Sequence, residues 1–141
     1  VTQYESAENA KGVSNANTYK AVDSDTDTAW RSSAKTDALI LTFKQEQSFN
    51  TIVLREKGWN IKKFNLSYFV DEPGNEHWEK FYEQDAVNDY RYCAFETVTA
   101  KQLKLEITES DSIFKIREFE VFMLLPLQNG MTGANWLFRT D

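Results

Sequence analysis

Three aspartates at alternate positions give this chain its clearest chemical signal: Asp23, Asp25 and Asp27, followed by Thr28 and Trp30. Aspartate side chains compete for nearby backbone N–H groups, so this spacing favours a turn over a helix. The carboxylates also repel one another unless a cation lies between them, and calcium takes about six to eight oxygen ligands of this kind. The segment therefore predicts a metal-bound turn, with a solvated acidic turn as the alternative.

The acidic turn does not fit the EF-hand pattern, although that pattern also places acidic residues at alternate positions. Its glycine, aliphatic and final glutamate positions are occupied here by Thr28, Trp30 and Ala34. No helical pattern flanks the turn either. If calcium binds here, the remaining ligands must come from elsewhere in the chain.

Catalytic motifs are missing from the sequence. It contains no G-x-S-x-G, H-E-x-x-H or P-loop pattern. A retaining glycosidase needs two carboxylates at a fixed separation, and 22 acidic residues supply many pairs without singling one out. Cys93 lies in a strand pattern with no base nearby, which indicates a buried, inert thiol. We therefore predict that the chain is not an enzyme.

Composition narrows the class of protein further. A length of 141 residues suits one domain with a substantial core. The net charge of −6 disfavours nucleic acid and anionic lipid as partners, because both require clustered cations. One cysteine permits no internal disulfide. No apolar run is long enough to span a bilayer, so we expect no membrane insertion. No signal peptide is evident at Val1, and we expect either a processed chain or a piece of a longer protein.

Short apolar runs alternate with polar turns along most of the chain, without the rhythm of a βαβ fold. Strands are predicted at 39–43, 51–55, 64–70, 78–82, 92–98, 103–107 and 116–123. Residues 3–19 alone could hold a helical turn. About eight strands at close spacing predict an all-β antiparallel β-sandwich or jelly roll. Trp30 and Trp78 are predicted core residues, and the lone His77 a solvated one.

The apolar pattern stops after Pro126, so we predict a domain over 1–125 and a linker or tail over 126–141.

Four motifs in this domain occur in the order that is typical of one family of β-sandwich domains: A-x-D-x-D-x-x-T-x-W, T-I-V-L-R, K-K-F-N-L-S-Y and I-R-E-F-E-V-F. Residues 5–123 resemble the discoidin, or factor V/VIII type C, domains, and most closely the family 32 carbohydrate-binding modules of bacterial glycosidases. Residues 51–109 are also similar to the β-sandwich domain attached to family 29 α-L-fucosidases.

The resemblance implies a galactose-binding-like module that binds a terminal galactose- or fucose-type sugar of a glycan. It further implies a monomeric, lectin-like accessory domain that is secreted or held at the surface of a bacterium. Such a domain would be tethered to a catalytic domain and would target an attached glycosidase or cell-surface protein to its substrate.

The resemblance also implies a structural calcium that joins the acidic turn to the last strand motif. Matched to the family pattern, the ligands would be Ala21 through its carbonyl, Asp23, Asp25, Thr28 and Glu118. Asp27 falls at a variable family position and is expected to be solvated. The family usually has glycine where this chain has Ser24. Removing calcium is therefore expected to destabilise the fold.

Sugar recognition needs an aromatic face against the apolar side of a pyranose and polar groups that reach its hydroxyls. The segment around Trp59 offers both, since Arg55 and Asn60 flank this tryptophan. Trp59 follows Gly58 in a predicted loop and is therefore expected to be exposed. In the resembling modules an Arg and an Asn five residues apart hold the sugar, and Arg55 and Asn60 match that spacing. The alternative is that Trp59 packs on the sandwich end and Arg55 pairs with Glu56.

Three further residues are expected to frame the same site: Arg31, Tyr90 and Phe114. Galactose-binding relatives often have a histidine just after the T-x-W motif, whereas this chain has no histidine from Arg31 to Lys35. Either Arg31 or Lys35 takes the place of the histidine, or the sugar differs. The competing hypothesis is a discoidin-type protein-interaction domain, or a spacer that only supports a neighbouring domain of a larger extracellular enzyme. A basic, membrane-binding discoidin domain is disfavoured, because the chain is acidic.

Overall fold

Residues 4–126 and 137–140 of the computed structural model are described below. The strands and the single helix of this part of the chain are β1 (Tyr4–Asn9), α1 (Ala16–Tyr19), β2 (Trp30–Arg31), β3 (Asp37–Glu56), β4 (Ile61–Val70), β5 (His77–Asp85), β6 (Tyr90–Ser110), β7 (Lys115–Pro126) and β8 (Leu137–Thr140). All strand pairs are antiparallel. The predicted all-β antiparallel sandwich is confirmed. The helical turn α1 lies inside the segment predicted to hold one, where Asn15 caps it by accepting from two backbone N–H groups.

Two long strands, β3 and β6, each run through both layers of the sandwich. The predicted short strands at 39–43 and 51–55 are the two halves of β3, and those at 92–98 and 103–107 are the two halves of β6. The pairing of β3 with β6 shifts register between Thr42 and Gln47, where the chain passes from one layer to the other. One layer has the order β1-β3-β6-β4-β5, and the other has the order β2-β7-β3-β6, formed with the second half of β3 and the first half of β6.

The core lies between these layers because alternate residues of each strand point inward. Leu103, Leu105 and Ile107 are buried, as their alternation with polar residues predicts. Trp30 is fully buried, which confirms its predicted place in the core. Cys93 is buried too, and burial raises the pKa of its thiol to about 11, as expected for an inert residue.

Trp78 departs from its predicted place in the core. It lies half-buried on β5, an edge strand, where it packs against Phe69 at 5.3 Å between ring centroids. The ammonium of Lys104 lies 4.6 Å from its ring centroid, an arrangement that keeps one ring face near water. The neighbouring His77 has a partly exposed side chain that faces Glu79 at 3.4 Å, in keeping with its predicted solvation.

The predicted linker or tail over 126–141 lies mostly outside the described residues. Its described strand, β8, pairs with the end of β7 from Met123 to Pro126. No helix in the described part of the chain is long and apolar enough to cross a membrane.

Candidate functional site

The acidic turn over 23–28 is held by its own side chains. Asp23 accepts a hydrogen bond from the backbone N–H of Asp25 at 3.0 Å, and Asp25 accepts one from Asp27 at 2.9 Å. The hydroxyl of Thr28 donates to the Asp23 carboxylate. Ser24 has a positive φ of 62°, the conformation that favours the glycine found at this position in the resembling modules. Asp27 is exposed, as predicted.

The turn is joined to β7, far along the chain. The backbone N–H of Phe119 donates to the carbonyl of Ala21 at 2.7 Å. The side chain of Glu118 is buried next to the carboxyl of Asp23, with which it shares a hydrogen bond. Arg117 adds a third link by donating to the carbonyl of Thr26 at 2.8 Å. The fold thus brings the acidic turn and Glu118 together, as the resemblance implies.

Two acidic groups, the carboxyls of Asp23 and Glu118, face each other at this position. Burial and the neighbouring Asp23 raise the pKa of Glu118 to about 8, which favours one proton shared by the two carboxyl groups. Although desolvation opposes it, hydrogen bonds from Thr28 and from backbone N–H groups lower the pKa of Asp23. The Oε1 atom of Glu118 is buried and has no hydrogen-bond partner among the described residues. An acceptor left in this state is costly, and a cation would satisfy it.

The donors at this position suit a hard divalent cation. They are oxygens throughout: the carboxylates of Asp23 and Glu118, the hydroxyl of Thr28 and the carbonyl of Ala21. Calcium prefers such a set, and it would replace the proton that the two carboxyl groups share. No cluster of three or more His, Cys, Asp or Glu side chains spaced to hold a metal occurs in the described residues, so main-chain carbonyls would complete the shell.

The loop between β3 and β4 is built around the buried Glu56. Its Oε2 accepts hydrogen bonds from the backbone N–H of Asn60 at 2.8 Å and of Ile61 at 3.2 Å. Gly58 has a φ of 103°, which only glycine adopts without strain. This turn leaves Trp59 on the surface with 60% of the residue exposed. The predicted exposure of Trp59 is confirmed.

Trp59 is held at the surface by the loop that precedes β6. Its indole N–H donates to a carboxylate oxygen of Asp89 at 3.0 Å. The next residue, Tyr90, is 61% exposed, and the guanidinium of Arg55 lies 5.8 Å from its ring centroid. We call the surface formed by Arg55, Trp59, Asp89 and Tyr90 the aromatic edge. It combines two exposed rings with a cation and a carboxylate.

Arg55 points away from the core, and its Nε donates to Glu120 at 2.7 Å. The alternative pairing of Arg55 with Glu56 is wrong, because successive strand residues face opposite sides and Glu56 points inward. Arg55, Tyr90 and Glu120 line one end of a groove of about 400 Å³ on the outer face of the sheet. The groove therefore extends the aromatic edge along the strands.

The loop over 86–89 is strained. Ala86, Asn88 and Asp89 all have positive φ, which non-glycine residues adopt at a cost. The carbonyl of Asp89 accepts the backbone N–H of Glu56 at 2.8 Å, and Arg91 donates to the carbonyl of Ala86 at 3.1 Å. These bonds fix Asp89 against the β3–β4 loop. Sequence reasoning missed both Asp89 and Glu56, although the Asn-Asp pair before β6 is a turn signal.

Three of the residues predicted to bind the sugar are not part of the aromatic edge. Phe114 is fully buried against Trp30 at 5.6 Å between ring centroids, so its predicted place in a ligand site is wrong. Asn60 has its main chain fixed by Glu56 and Asp111, and no contact joins its side chain to Arg55 within the described residues. Arg31 lies on β2 in a separate cleft beside the acidic turn.

Solved structures similar to this chain include fucosidases and a chitosan-binding module. A Bacteroides thetaiotaomicron protein assigned as an alpha-L-fucosidase matches 83% of this chain with 26% of its own, at 21% identity and a TM-score of 0.70. A Ruminococcus gnavus fucosidase in complex with fucose matches 75% of this chain with 22% of its own, at 20% identity and a TM-score of 0.66. The chain thus spans about a quarter of the length of these enzymes.

The third similar structure is a complete module. Chitosan-binding module 2 of a chitosanase/glucanase from Paenibacillus sp. IK-5, in complex with chitotriose, matches 85% of this chain with 97% of its own, at 17% identity and a TM-score of 0.70. At these identities the likeness shows the fold.

Family membership comes from the sequence itself. No curated protein is similar enough to the chain to count as a relative. The family model of the F5/8 type C domain matches residues 2–119, most of the chain. F5/8 type C domains are non-catalytic binding domains, which confirms the prediction that the chain is not an enzyme. The chain belongs to the F5/8 type C, or discoidin, domain family and has the fold of a carbohydrate-binding module.

Proposed function

We infer that the chain is a non-catalytic carbohydrate-binding module that holds a sugar of a glycan at the aromatic edge. The observation that carries this function is a pair of exposed rings joined through Asp89: Trp59 donates to its carboxylate, and Tyr90 is the next residue in the chain. A large aromatic side chain at the surface contributes little to the fold, yet its hydrogen bond to Asp89 keeps its orientation. Such a preset ring loses little entropy when a sugar stacks on it.

Each residue of the aromatic edge has a distinct role in this proposal. Trp59 offers its ring face to the C–H side of a galactose- or fucose-type terminal sugar, and Tyr90 borders the same sugar. Arg55 donates to ring hydroxyls with guanidinium N–H groups that its bond to Glu120 leaves free. Asp89 accepts from a hydroxyl with the carboxylate oxygen that does not hold the indole.

A structural calcium at the acidic turn is part of the proposal. The oxygens of Asp23, Thr28, Ala21 and Glu118 would hold it, with Asp25 turned toward the backbone of Asp27. The buried, unpaired oxygen of Glu118 supports this assignment. Bound there, calcium supplies positive charge between two carboxylates and connects the turn to β7. It has no direct part in holding the sugar.

The biological role that we infer is targeting. The fold recurs as about a quarter of larger glycosidases, so we assign this chain to a secreted or cell-surface bacterial protein with an attached catalytic domain. The chain itself would act as a monomer. Its expected affinity is weak: millimolar binding corresponds to about −4 kcal/mol, and tethering to an enzyme compensates by raising the local concentration.

A glycan array in calcium-containing buffer, followed by titration calorimetry on the best neutral hit, tests the function. Trp59→Ala is expected to weaken binding at least about tenfold, because stacking on one ring contributes on the order of 1.4 kcal/mol. The matched control is Trp78→Ala, which removes another surface tryptophan on β5 and should leave affinity unchanged. If no mono- or oligosaccharide binds at millimolar concentration, the chain is a protein-interaction or spacer domain instead.

A further inference from the structure

A cluster of cations lines a cleft beside the acidic turn, at the same end of the molecule as the β3–β4 loop. The cleft has a volume of about 370 Å³, and its charged lining residues are Lys20, Asp27, Arg31, Lys57, Lys115 and Arg117. Five of the 16 cationic side chains of the chain line it, against one of the 22 acidic ones. The chain has a net charge of −6, so the sign of the charge in this cleft is opposite to that of the chain as a whole.

The backbone itself assembles this basic cleft around Lys115. Arg31 lies directly opposite Lys115 in the β2–β7 pair, and the backbone N–H of Lys57 donates to the Lys115 carbonyl at 3.0 Å. Arg117 follows two residues later on the same side of β7. Like charges directly opposite each other on paired strands are destabilising. The fold therefore holds repelling groups together at a cost, which a bound anion would offset.

Among the residues that the structure describes, these cations have no carboxylate partners. None of the ion pairs among the described residues involves Lys20, Arg31, Lys57, Lys115 or Arg117. Other cations of the chain do pair, among them those on β4 and β5. The basic cleft thus keeps its charge unneutralised within the described part of the chain, as a site for an external anion would.

Two of the cations are also held in position. The main chain of Arg31 is fixed on both sides by Asn17, whose amide accepts from its N–H at 3.2 Å and donates to its carbonyl at 3.0 Å. Arg117 donates one guanidinium N–H to the carbonyl of Thr26, which orients the group and leaves its other N–H groups available. A preset guanidinium suits the planar oxygens of a carboxylate or sulfate, which it can bind with two hydrogen bonds.

The basic cleft adjoins the aromatic edge through consecutive residues of one loop. Glu56 donates its N–H to Asp89 of the aromatic edge, and Lys57 donates its N–H to Lys115 of the cleft. Trp59 follows two residues after Lys57. One glycan chain could therefore place a sugar on Trp59 and a neighbouring group in the cleft. The cleft has room for about one sugar unit. A nucleic-acid duplex would instead need a much more extended basic surface.

We propose that the basic cleft binds the oxyanion of an acidic glycan, a sulfate ester or a uronic acid carboxylate, next to the sugar at the aromatic edge. This inference rests on the proposed function and gives it a substrate class. Lys57 and Lys115 supply charge, while Arg31 and Arg117 supply paired hydrogen bonds. The excess negative charge elsewhere on the chain repels extended polyanions and restricts binding to ligands that also use the rings.

The test compares glycans that differ only in charge. One pair is an oligogalacturonide and its methyl ester, and the other is a sulfated galactan oligosaccharide and its desulfated form. Calorimetry at about 0.05 M salt should give an anionic-to-neutral affinity ratio of at least ten for one pair, and the pair identifies the oxyanion. Raising the salt to about 0.5 M should lower this ratio severalfold, because the partly exposed cations are screened.

The variant Lys57→Gln/Lys115→Gln should reduce the ratio to within about twofold of one. The control Lys11→Gln/Lys44→Gln removes the same charge from two exposed lysines outside the cleft and should leave the ratio unchanged. A ratio near one in the unmodified chain overturns the inference. It leaves the proposed function intact if Trp59→Ala still weakens binding of the neutral glycan at least about tenfold. Equal affinity for a DNA duplex overturns it too, because the cleft would then not select glycans.

Discussion

Glu56 and Glu118 are both buried glutamates, each with one carboxylate oxygen that has no partner among the described residues. Burial raises the pKa of both, yet their surroundings differ. Glu56 accepts from two backbone N–H groups of the loop that it organises. Glu118 instead faces another carboxyl group, that of Asp23. A buried carboxylate that accepts backbone N–H groups through one oxygen shapes a loop, whereas one set against a second carboxyl group suits an external cation.

The largest expected effect is the gain in stability from calcium bound at Glu118, and it tests the role that the comparison gives to this residue. Calcium at 100 times its Kd should stabilise the chain by about 2.7 kcal/mol, and EDTA should reverse the gain. For a domain of this size the melting temperature should shift by roughly 10 °C, measured by calorimetry. Glu118→Gln should abolish the shift, because it removes the distant carboxylate.

The control for this prediction is Asp27→Asn, which removes an exposed carboxylate of the same turn. It should keep the calcium response. In EDTA, Glu118→Gln should be about as stable as the unmodified chain, because the amide N–H of glutamine can donate to Asp23 in place of the shared proton. A melting temperature that changes with neither calcium nor EDTA would contradict a metal at this position.

The next largest effect is the loss of stability expected when Glu56 is replaced. Glu56→Ala leaves the backbone N–H groups of Asn60 and Ile61 without their acceptor, at a cost of about 1–3 kcal/mol in the free energy of unfolding. Glu56→Gln retains an accepting oxygen and should cost much less. Urea unfolding in saturating calcium compares the two. Equal losses for both variants would show that charge, rather than the hydrogen bonds, organises the loop.

A smaller effect lies in the acidic turn. Ser24→Gly should stabilise the chain by up to about 1 kcal/mol, because Ser24 has a positive φ that glycine adopts without strain. Ser24→Ala keeps the strained Cβ and should bring no gain. Thermal unfolding in EDTA separates this backbone effect from calcium affinity. A destabilised glycine variant would show that the serine side chain matters more than its conformation.

The smallest effect is a pH dependence. Burial raises the pKa of Glu56 above its ordinary value of 4.5, despite the two N–H donors and Lys62, and Asp89 adds to the rise. The folded state therefore binds this proton more tightly than the unfolded state. Its stabilising contribution is present below the unfolded pKa and is lost as the pH rises through the folded pKa. Unfolding free energies of the unmodified chain relative to Glu56→Gln should fall from about pH 4 upward, and a rising difference would contradict the assignment.

Much of the fold follows from the sequence, because strand alternation is local. Leu103, Leu105 and Ile107 show their buried face in the sequence alone. Glu118 could be connected to the acidic turn only through the resemblance to discoidin domains, since nearly a hundred residues separate it from Asp23. The resemblance thus supplied what periodicity lacks, namely a long-range contact.

The errors share a physical cause. Phe114 follows a polar segment and so resembles an exposed loop residue, but two hydrogen bonds between its backbone and Ser32 turn it into the core. Asp89 was missed because its position depends on three left-handed residues in one loop, which no local pattern of apolar residues indicates. The basic cleft was missed because its cations come from separate segments that only the strand register brings together. Loop direction and cross-strand neighbours are tertiary properties.

The passage of β3 and β6 through both layers has a consequence for how the molecule comes apart. Each layer contains one half of the same two strands, so neither layer could detach with its hydrogen-bonded pairs and leave the other complete. Partial opening would expose both sides of the core at once. We expect all-or-none cooperativity, with no stable half-sandwich on the way to the unfolded chain. Every surface loop of the domain would therefore be lost in the same transition that unfolds the core.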